Sequence, residues 1–498
     1  MARPNRATSA IILLLATNMA GCTVGPDFRL PLPQVGSTYP DMQRSSGIAG
    51  GGHADDEGAQ RLIFEAEPPG DRWWRAFGSP ALDALVERAL VSNLTLTQAA
   101  MRQIEAQQEY LAESGGHQFP QVDLSMSAER QKSNPDSLGL GTLPAGIGLA
   151  PYTLYDTSVR VSYVFDLFGA NRRALEALAA RAEYRKYEFE AVRQMLAANL
   201  VASAIRLACV RQMTEVAQRQ LAIREQQRQI DRASERLGAI SEVERIARDE
   251  QVEKARQRLP ALRKEMARLR SRIAIYEGRS PANVEALPDA LDELRLDRLT
   301  LPATVPVVKP AQLALSRPDV RAAASLLHVA NAEVGRATAA LYPGISLVAG
   351  AGSQQTSILD SLGSLNVWSV GVGLTQPLFN GGKLRAHRDA AQAAYEATLA
   401  DYQTAVFQAV QQVTDSIEAL RQDTDELSLS EASLERGEHR ADIDAKRHLA
   451  GNISLISLLD TRHAMLAASY RRIEKYMQQL VDTVALYQAV GVRPDSLR

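Results

Sequence analysis

The sequence predicts a mainly α-helical fold that also carries membrane β-structure: long α-helical coiled coils plus four β-strands per protomer, built by internal duplication. Three observations predict it. One pattern of motifs occurs twice along the 498 residues. Two very long stretches, Asn171 to about Leu237 and Leu384 to about Leu449, are almost free of Gly and Pro. Four short runs alternate apolar and polar residues with a period of two, the signature of strands with two unlike faces.

The duplication is read from motif pairs at nearly constant spacing. Ser158 to Gly169 matches Ser369 to Asn380 at an offset of 211, as from Phe168 to Phe379. Ala274-Ile275-Tyr276-Glu277 matches Ala485-Leu486-Tyr487-Gln488 at the same offset. Phe119-Pro120-Gln121-Val122-Asp123-Leu124 matches Tyr342-Pro343-Gly344-Ile345-Ser346-Leu347 at 223, so the loops between paired strands differ in length. Gly238-Ala239-Ile240-Ser241 matches Gly451-Asn452-Ile453-Ser454 at 213. Each copy reads helix, strand, loop, strand, very long helix, tight turn, returning helix. Two units this long are not a solenoid, which stacks many short repeats.

The strand runs place Val122, Leu124, Met126 and Ala128 on one face, and likewise Thr157, Val159, Val161, Tyr163 and Phe165. Ile345, Leu347, Ala349 and Ala351 form the third set, and Trp368, Val370, Val372 and Leu374 the fourth. Each run has about nine to eleven residues, the length of a tilted membrane strand. Four strands cannot close a barrel in lipid, because open edges leave backbone groups unpaired. Either the sheet is half-buried in a soluble domain or several chains share one barrel. Three protomers supply twelve strands.

At 1.5 Å per residue the long helices reach about 100 Å and need partners along their length. The returning helices show the seam: Leu259, Leu262, Met266, Leu269, Ile273 and Tyr276 step by three and four, as do Tyr470, Ile473, Met477, Leu480, Val484 and Tyr487. This is the heptad spacing of knobs-into-holes packing. Pro260 is expected to kink the first returning helix.

The N-terminus reads as an address. Arg3 and Arg6 precede an apolar run from Ala10 to Ala16, and Met19-Ala20-Gly21 leads to Cys22. This pattern is a secretory signal over residues 1–21, and the run is too short to span a bilayer. Small residues before Cys22 resemble a bacterial lipoprotein cleavage site, although Met19 stands where Leu is commoner. Cys22 would then carry acyl chains, each buried CH₂ adding about 0.8 kcal/mol of anchoring. Residues 22–78 form an extended N-terminal segment, rich in Pro, Gly and Ser to about Gln60. The glycine run Gly50-Gly51-Gly52 lacks the Lys and helix start of a phosphate loop.

Composition excludes other classes. Lys and Arg total 56 and Asp and Glu 58, interspersed, unlike the clustered basic excess of a nucleic-acid binder. The second cysteine, Cys209, lies on the apolar stripe of Ile205, Met213 and Val216 and reads as a buried hydrophobe. The seven histidines show no metal-ligand spacing, so no catalytic residue, metal or cofactor is assigned.

Several motifs now converge on one family. The start Cys22-Thr23-Val24-Gly25-Pro26-Asp27-Phe28, the aromatic Trp73-Trp74-Arg75-Ala76-Phe77 with Leu82, Leu85 and Asn93, and Tyr163-Val164-Phe165-Asp166-Leu167-Phe168-Gly169 carry the likeness. So do Arg317-Pro318-Asp319-Val320 and Gln376-Pro377-Leu378-Phe379-Asn380-Gly381-Gly382. Over Cys22 to about Val492 the chain resembles the TolC/OprM-like outer-membrane efflux channels, lipoprotein (NodT-type) branch. Its C-terminus departs, with Gly491-Val492-Arg493-Pro494 where the family often has a Gly-rich stretch ending in Trp.

The resemblance implies a homotrimer with a twelve-stranded barrel in the outer membrane and a helical tunnel through the periplasm. The domains would be repeat 1 over 79–281, a linker over 282–309, repeat 2 over 310–490 and a tail over 491–498. The partners would be outer-membrane lipid, a periplasmic adaptor (membrane fusion protein) and an inner-membrane pump of the RND type. The duct would be passive and drain drugs or other small toxic molecules. A channel for one-step (type I) protein secretion and a periplasmic coiled-coil adaptor are the competing functions.

Control of leakage falls to the helical turns. Gly238, Ala239, Ile240 and Ser241, with Gly451, Asn452, Ile453 and Ser454, form that end, Gly for the reversal and Ser to cap the next helix. The resemblance makes these turns the adaptor-docking surface. It also makes Asp460 an acidic ring at the gate and Ile456, one helical turn earlier, an apolar ring. Three carboxylates brought together repel and need cationic partners, for which Arg232, Arg236 and Arg462 are the candidates. Ser457 stands where the TolC branch has a further acid.

Overall fold

The structure is a computed structural model that describes residues 23–31, 36, 39, 60–64, 67–132, 150–282, 293–357 and 365–492. The predicted signal over 1–21, the predicted lipidation residue Cys22 and the tail residues 493–498 lie outside the described residues. The elements in order are β1 (Arg61–Phe64), a 3₁₀ turn (Trp73–Phe77), α1 (Pro80–Ser92), α2 (Leu94–Gln118), β2 (Gln121–Gln131) and β3 (Tyr152–Phe165). Then come α3 (Ala170–Arg236), α4 (Glu242–Tyr276), β4 (Thr304–Val307), α5 (Pro310–Ser316) and α6 (Pro318–Ala339). The chain closes with β5 (Gly344–Gln355), β6 (Val367–Thr375), α7 (Lys383–Leu449) and α8 (Leu455–Val490). Contacts divide it into two compact units.

The first unit comprises residues 1–31, 103–185 and 323–401. Its sheet has the order β2-β3-β5-β6, antiparallel throughout. The register aligns Leu124 with Val159, Val159 with Ala351, and Ala351 with Trp368. The row beside it aligns Val122, Val161, Ala349 and Val370. Because side chains alternate faces, these rows make one continuous apolar face. The other face carries Asp123, Arg160, Gly350 and Ser369 in one row. The apolar side chains of the outer strands β2 and β6 are exposed, among them Leu124, Met126, Trp368 and Val372. Among the described residues β2 and β6 each have one strand neighbour, so each offers a free backbone edge.

Residues 23–28 are seated in the same unit. Val24 N–H donates to the Phe168 carbonyl (3.1 Å). Arg173 donates to the Gly25 carbonyl and to Asp27 (2.8 Å), and Asn331 donates to the Pro26 carbonyl (3.0 Å). Phe28 stacks on His328 with ring centroids 4.2 Å apart. A Cβ on Gly25, whose φ is 99°, would lie 2.6 Å from the Gly335 Cα, and one on Gly335 would lie 2.9 Å from the Arg173 side chain.

The second unit comprises residues 32–102, 186–322 and 402–498. Its core joins Leu200, Ile205, Met213, Leu269, Ile273, Leu480, Val484 and Tyr487 with Trp73, Phe77 and Leu82. The heptad positions face this core: Leu262, Met266, Tyr276, Tyr470 and Met477 are partly buried against it, and Leu259 is buried. Trp73 stacks on Tyr487, centroids 5.2 Å apart, and Trp74 Nε1 donates to Asp83 (2.9 Å). β1 pairs in parallel with β4. Cys209 is fully buried, and burial pushes its thiol up to about 12, the behaviour of an inert core residue. α4 continues through Pro260 with no break in the helix.

Candidate functional site

Both long helices end in the same way. Gly238 and Gly451 adopt left-handed φ values of 71° and 75°. Gly238 N–H donates to Glu235 O and Ala239 N–H to Ser234 O, both 2.8 Å. Gly451 N–H to His448 O and Asn452 N–H to Arg447 O, both 2.9 Å, repeat the pattern. These are Schellman closures, which use the last free carbonyls of a helix and need a residue tolerant of positive φ. Ser241 then caps α4 in a capping box with Glu244, and the box holds the Glu244 carboxyl below the usual range. Ser454 caps α8 by accepting from Ser457 N–H at 3.2 Å. His448 Nδ1 braces this second turn from 3.0 Å off the Ile453 carbonyl. Leu237, directly before Gly238, and Leu449, two residues before Gly451, are exposed, as are Ala239, Asn452, Ser241 and Ser454, while Ile240 and Ile453 are half-buried.

Asp460 lies on α8, one helical turn beyond the half-buried Ile456. Its carboxylate accepts from Arg224 Nη1 (3.2 Å) and from Gln227 Nε2 (2.9 Å), both on α3. Arg224 also donates to Gln227 Oε1 (2.8 Å) and approaches His463 Nδ1 (3.3 Å). Burial, then the Arg224 charge, pulls His463 down to about 4, so its ring is neutral near pH 7. The ion partner of Asp460 is therefore Arg224, not Arg232, Arg236 or Arg462. α3 meets α8 about three helical turns before its own end, which brings Arg224 to Asp460.

Two buried carboxylates flank this contact. Asp231 is almost wholly buried and pairs with Arg248 at 3.2 Å. Burial raises its pKa, Arg248 opposes the shift, and the Asp460 and Asp249 carboxylates add to it. Asp444 is buried and accepts from Thr461 Oγ1 at 2.7 Å. The two pairs occupy matching places, since Asp231 and Asp444, and Arg248 and Thr461, are separated by the same 213 residues as Gly238 and Gly451. That spacing was visible in the sequence and is the signal that finds them. The Arg224–Asp460 pair is partly exposed. Such pairs stabilise by about 0–1 kcal/mol.

A family model described as "Outer membrane efflux protein" matches residues 85–278 and 310–492, one segment in each copy of the duplication. The chain belongs to the outer membrane efflux protein family. Its similar relatives include the pyoverdine export outer membrane protein OpmQ of Pseudomonas aeruginosa, 28% identical over 84% of this chain and 87% of that protein. The solvent efflux pump outer membrane protein SrpC of Pseudomonas putida is 27% identical, covering 95% of this chain and 96% of that one. Among solved structures, the outer-membrane channel OprN is similar with a TM-score of 0.79 and 26% identity, over 94% of this chain and 99% of that one. The Neisseria gonorrhoeae MtrE outer membrane channel shares the fold with a TM-score of 0.77 at 22% identity, over 95% and 98%. This efflux family member thus has relatives that are channel and export proteins of the outer membrane, and its role is that of an outer-membrane efflux channel.

Proposed function

We propose that the protein is the exit duct of a tripartite efflux system, a homotrimer lipid-anchored through Cys22 with its helices in the periplasm. The observation that carries this reading is the four-stranded sheet, which exposes a continuous apolar face and leaves both edges unpaired. In hydrocarbon an unpaired edge costs several kcal/mol per group, so the sheet needs neighbouring copies to close it. Twelve strands make a closed barrel with an aqueous bore. Transport is then passive, with energy from an inner-membrane pump of the RND type and a periplasmic adaptor between them. The seating of residues 23–28 supports the anchor, because it holds the chain directly after Cys22 against the foot of β3.

The gate in this reading is Asp460 with Ile456, held by Arg224 and Gln227. The glycine turns, each with an exposed Leu at its shoulder, are the adaptor-docking surface. Drugs, solvents and other small toxic molecules are the cargo class, in line with a relative named for solvent efflux. Gly451→Trp tests the docking: its indole and the strain at positive φ should abolish adaptor crosslinking and raise drug accumulation in cells. Undiminished crosslinking at normal outer-membrane abundance would remove the turns from the docking surface.

A further inference from the structure

The internal duplication turns contacts inside one chain into a map of contacts between chains. Repeat 1 meets repeat 2 at a seam where β3 pairs with β5. The matching elements are β6, at 211 residues after β3, and β2, at 223 before β5. Those two strands are the free edges of the sheet.

Each feature of the internal seam has a counterpart left exposed on these edges. Phe168 stacks on Tyr342 at the foot of the strands, centroids 4.8 Å apart. The counterparts are Phe379 and Phe119, which are 93% and 64% exposed. Glu176 on α3 pairs with His328 on α6 at 2.8 Å. The counterparts are His387 on α7 and Glu105 on α2, both exposed and with the two residue types exchanged. Leu327 and Val334 of α6 are buried, at 0% and 6% exposure, whereas their counterparts Ile104 and Leu111 of α2 stand at 47% and 57%. An acid and a histidine that trade places while the spacing is kept are hard to attribute to a surface in contact with solvent alone.

We propose that β6 of one copy pairs with β2 of the next in the register that β3 and β5 use inside the chain, secured by a Phe379–Phe119 stack and a His387–Glu105 pair. This rests on the reading that copies of the chain assemble through their sheet edges, and specifies how. Inside the chain Tyr163, Val161 and Val159 lie opposite Leu347, Ala349 and Ala351. Transferred by the two offsets, Leu374, Val372 and Val370 lie opposite Leu124, Met126 and Ala128 of the next copy. Every one of these rows continues the apolar face. The seam between copies does not repeat the seat of the N-terminal segment: the counterpart of Gly335 is Ala112 and that of Arg173 is Leu384. The register has one near competitor. The two hairpins differ by two residues, Leu124 lying opposite Val159 but Leu347 opposite Val372. The stack at the foot of the strands selects the stated register over the slipped one.

Paired cysteines test it in outer-membrane preparations of the full-length protein. Val372→Cys with Met126→Cys should give covalent dimers and trimers under mild oxidation on non-reducing gels. Val372→Cys with Leu124→Cys, displaced by two residues, should give several-fold less. A stronger product from the displaced pair, or none from either in protein that still migrates as a trimer, overturns the register and leaves the assembly standing. A monomer by cross-linker-free sizing overturns both. Independently, His387→Glu should lower the temperature at which the trimer dissociates, by facing Glu105 with a like charge. Adding Glu105→His should restore it, as the double variant copies the Glu176–His328 order. A double variant no more stable than His387→Glu alone overturns the pair.

Discussion

The two helical turns are copies of one design that have parted in chemistry. Both keep the Schellman glycine, the serine cap and a buried aspartate seven residues before the glycine. In the first copy that aspartate, Asp231, faces Arg248, yet neither of its oxygens has a hydrogen bond. In the second, Asp444 accepts a short bond from Thr461. The Arg224–Asp460 pair occurs once: Asp460 corresponds to Ala247, and Arg224 to Gly437. The duplication therefore preserved what folds the turn, while this ion pair stands at one turn in two. The trimer and gate proposed above would bring together three such acids rather than six, each held by a cation from the other repeat, which limits like-charge repulsion.

That contrast can be broken most forcefully at Asp460. Asp460→Ala should raise resting conductance in planar bilayers about tenfold, as expected if about 1.4 kcal/mol of closing energy is lost across the trimer. Arg224→Ala should do much the same, and the double variant should add little, because the two residues form one contact. Unchanged conductance in both would remove the pair from the gate. Next in size is the buried pair. Thr461→Val leaves a buried carboxylate oxygen unsatisfied and should destabilise by about 1–3 kcal/mol in thermal unfolding, whereas Asp231→Asn should cost less than about 1 kcal/mol because no hydrogen bond is lost. Equal losses would erase the difference between the turns.

Acid provides a third test. The folded pKa of His463 lies below its unfolded value of 6.5, at about 4. The unfolded state therefore binds the extra proton first, and the stability due to neutral His463 is complete above pH 6.5 and declines as pH falls towards 4. A protonated ring would face Arg224 and Arg258, with only Asp460 to compensate. Conductance should rise as pH drops from 6 to about 4, and His463→Asn should flatten that rise. The smallest effect is at the caps. Ser241→Ala removes a full capping box and should cost about 1 kcal/mol, and Ser454→Ala, with no acid at the third position, somewhat less. A Ser454→Ala loss equal to or larger than that of Ser241→Ala would contradict this order.

Much of this was legible because it is periodic. The alternation around Val122 to Ala128 and Trp368 to Leu374 announces two-faced strands, and the stepping from Leu259 to Tyr276 announces a helical seam. Turn glycines were legible because few other residues tolerate their backbone angles. The partner of Asp460 was not, because Arg224 and Asp460 are separated by 236 residues and meet only when α3 packs on α8. Charged residues recur every few positions along α3, and nothing local separates Arg224 from Arg232 or Arg236. The Asp231 and Asp444 pairs lay in plain view at the repeat spacing but demanded that charges, and not only motifs, be compared between copies.

The central claim is that this sheet survives only as a third of a shared barrel. Native mass spectrometry of the protein extracted from outer membranes in detergent tests it most directly. The account predicts a complex of three acylated chains that forms pores in bilayers. A stable, water-soluble single chain that never needed detergent would contradict it.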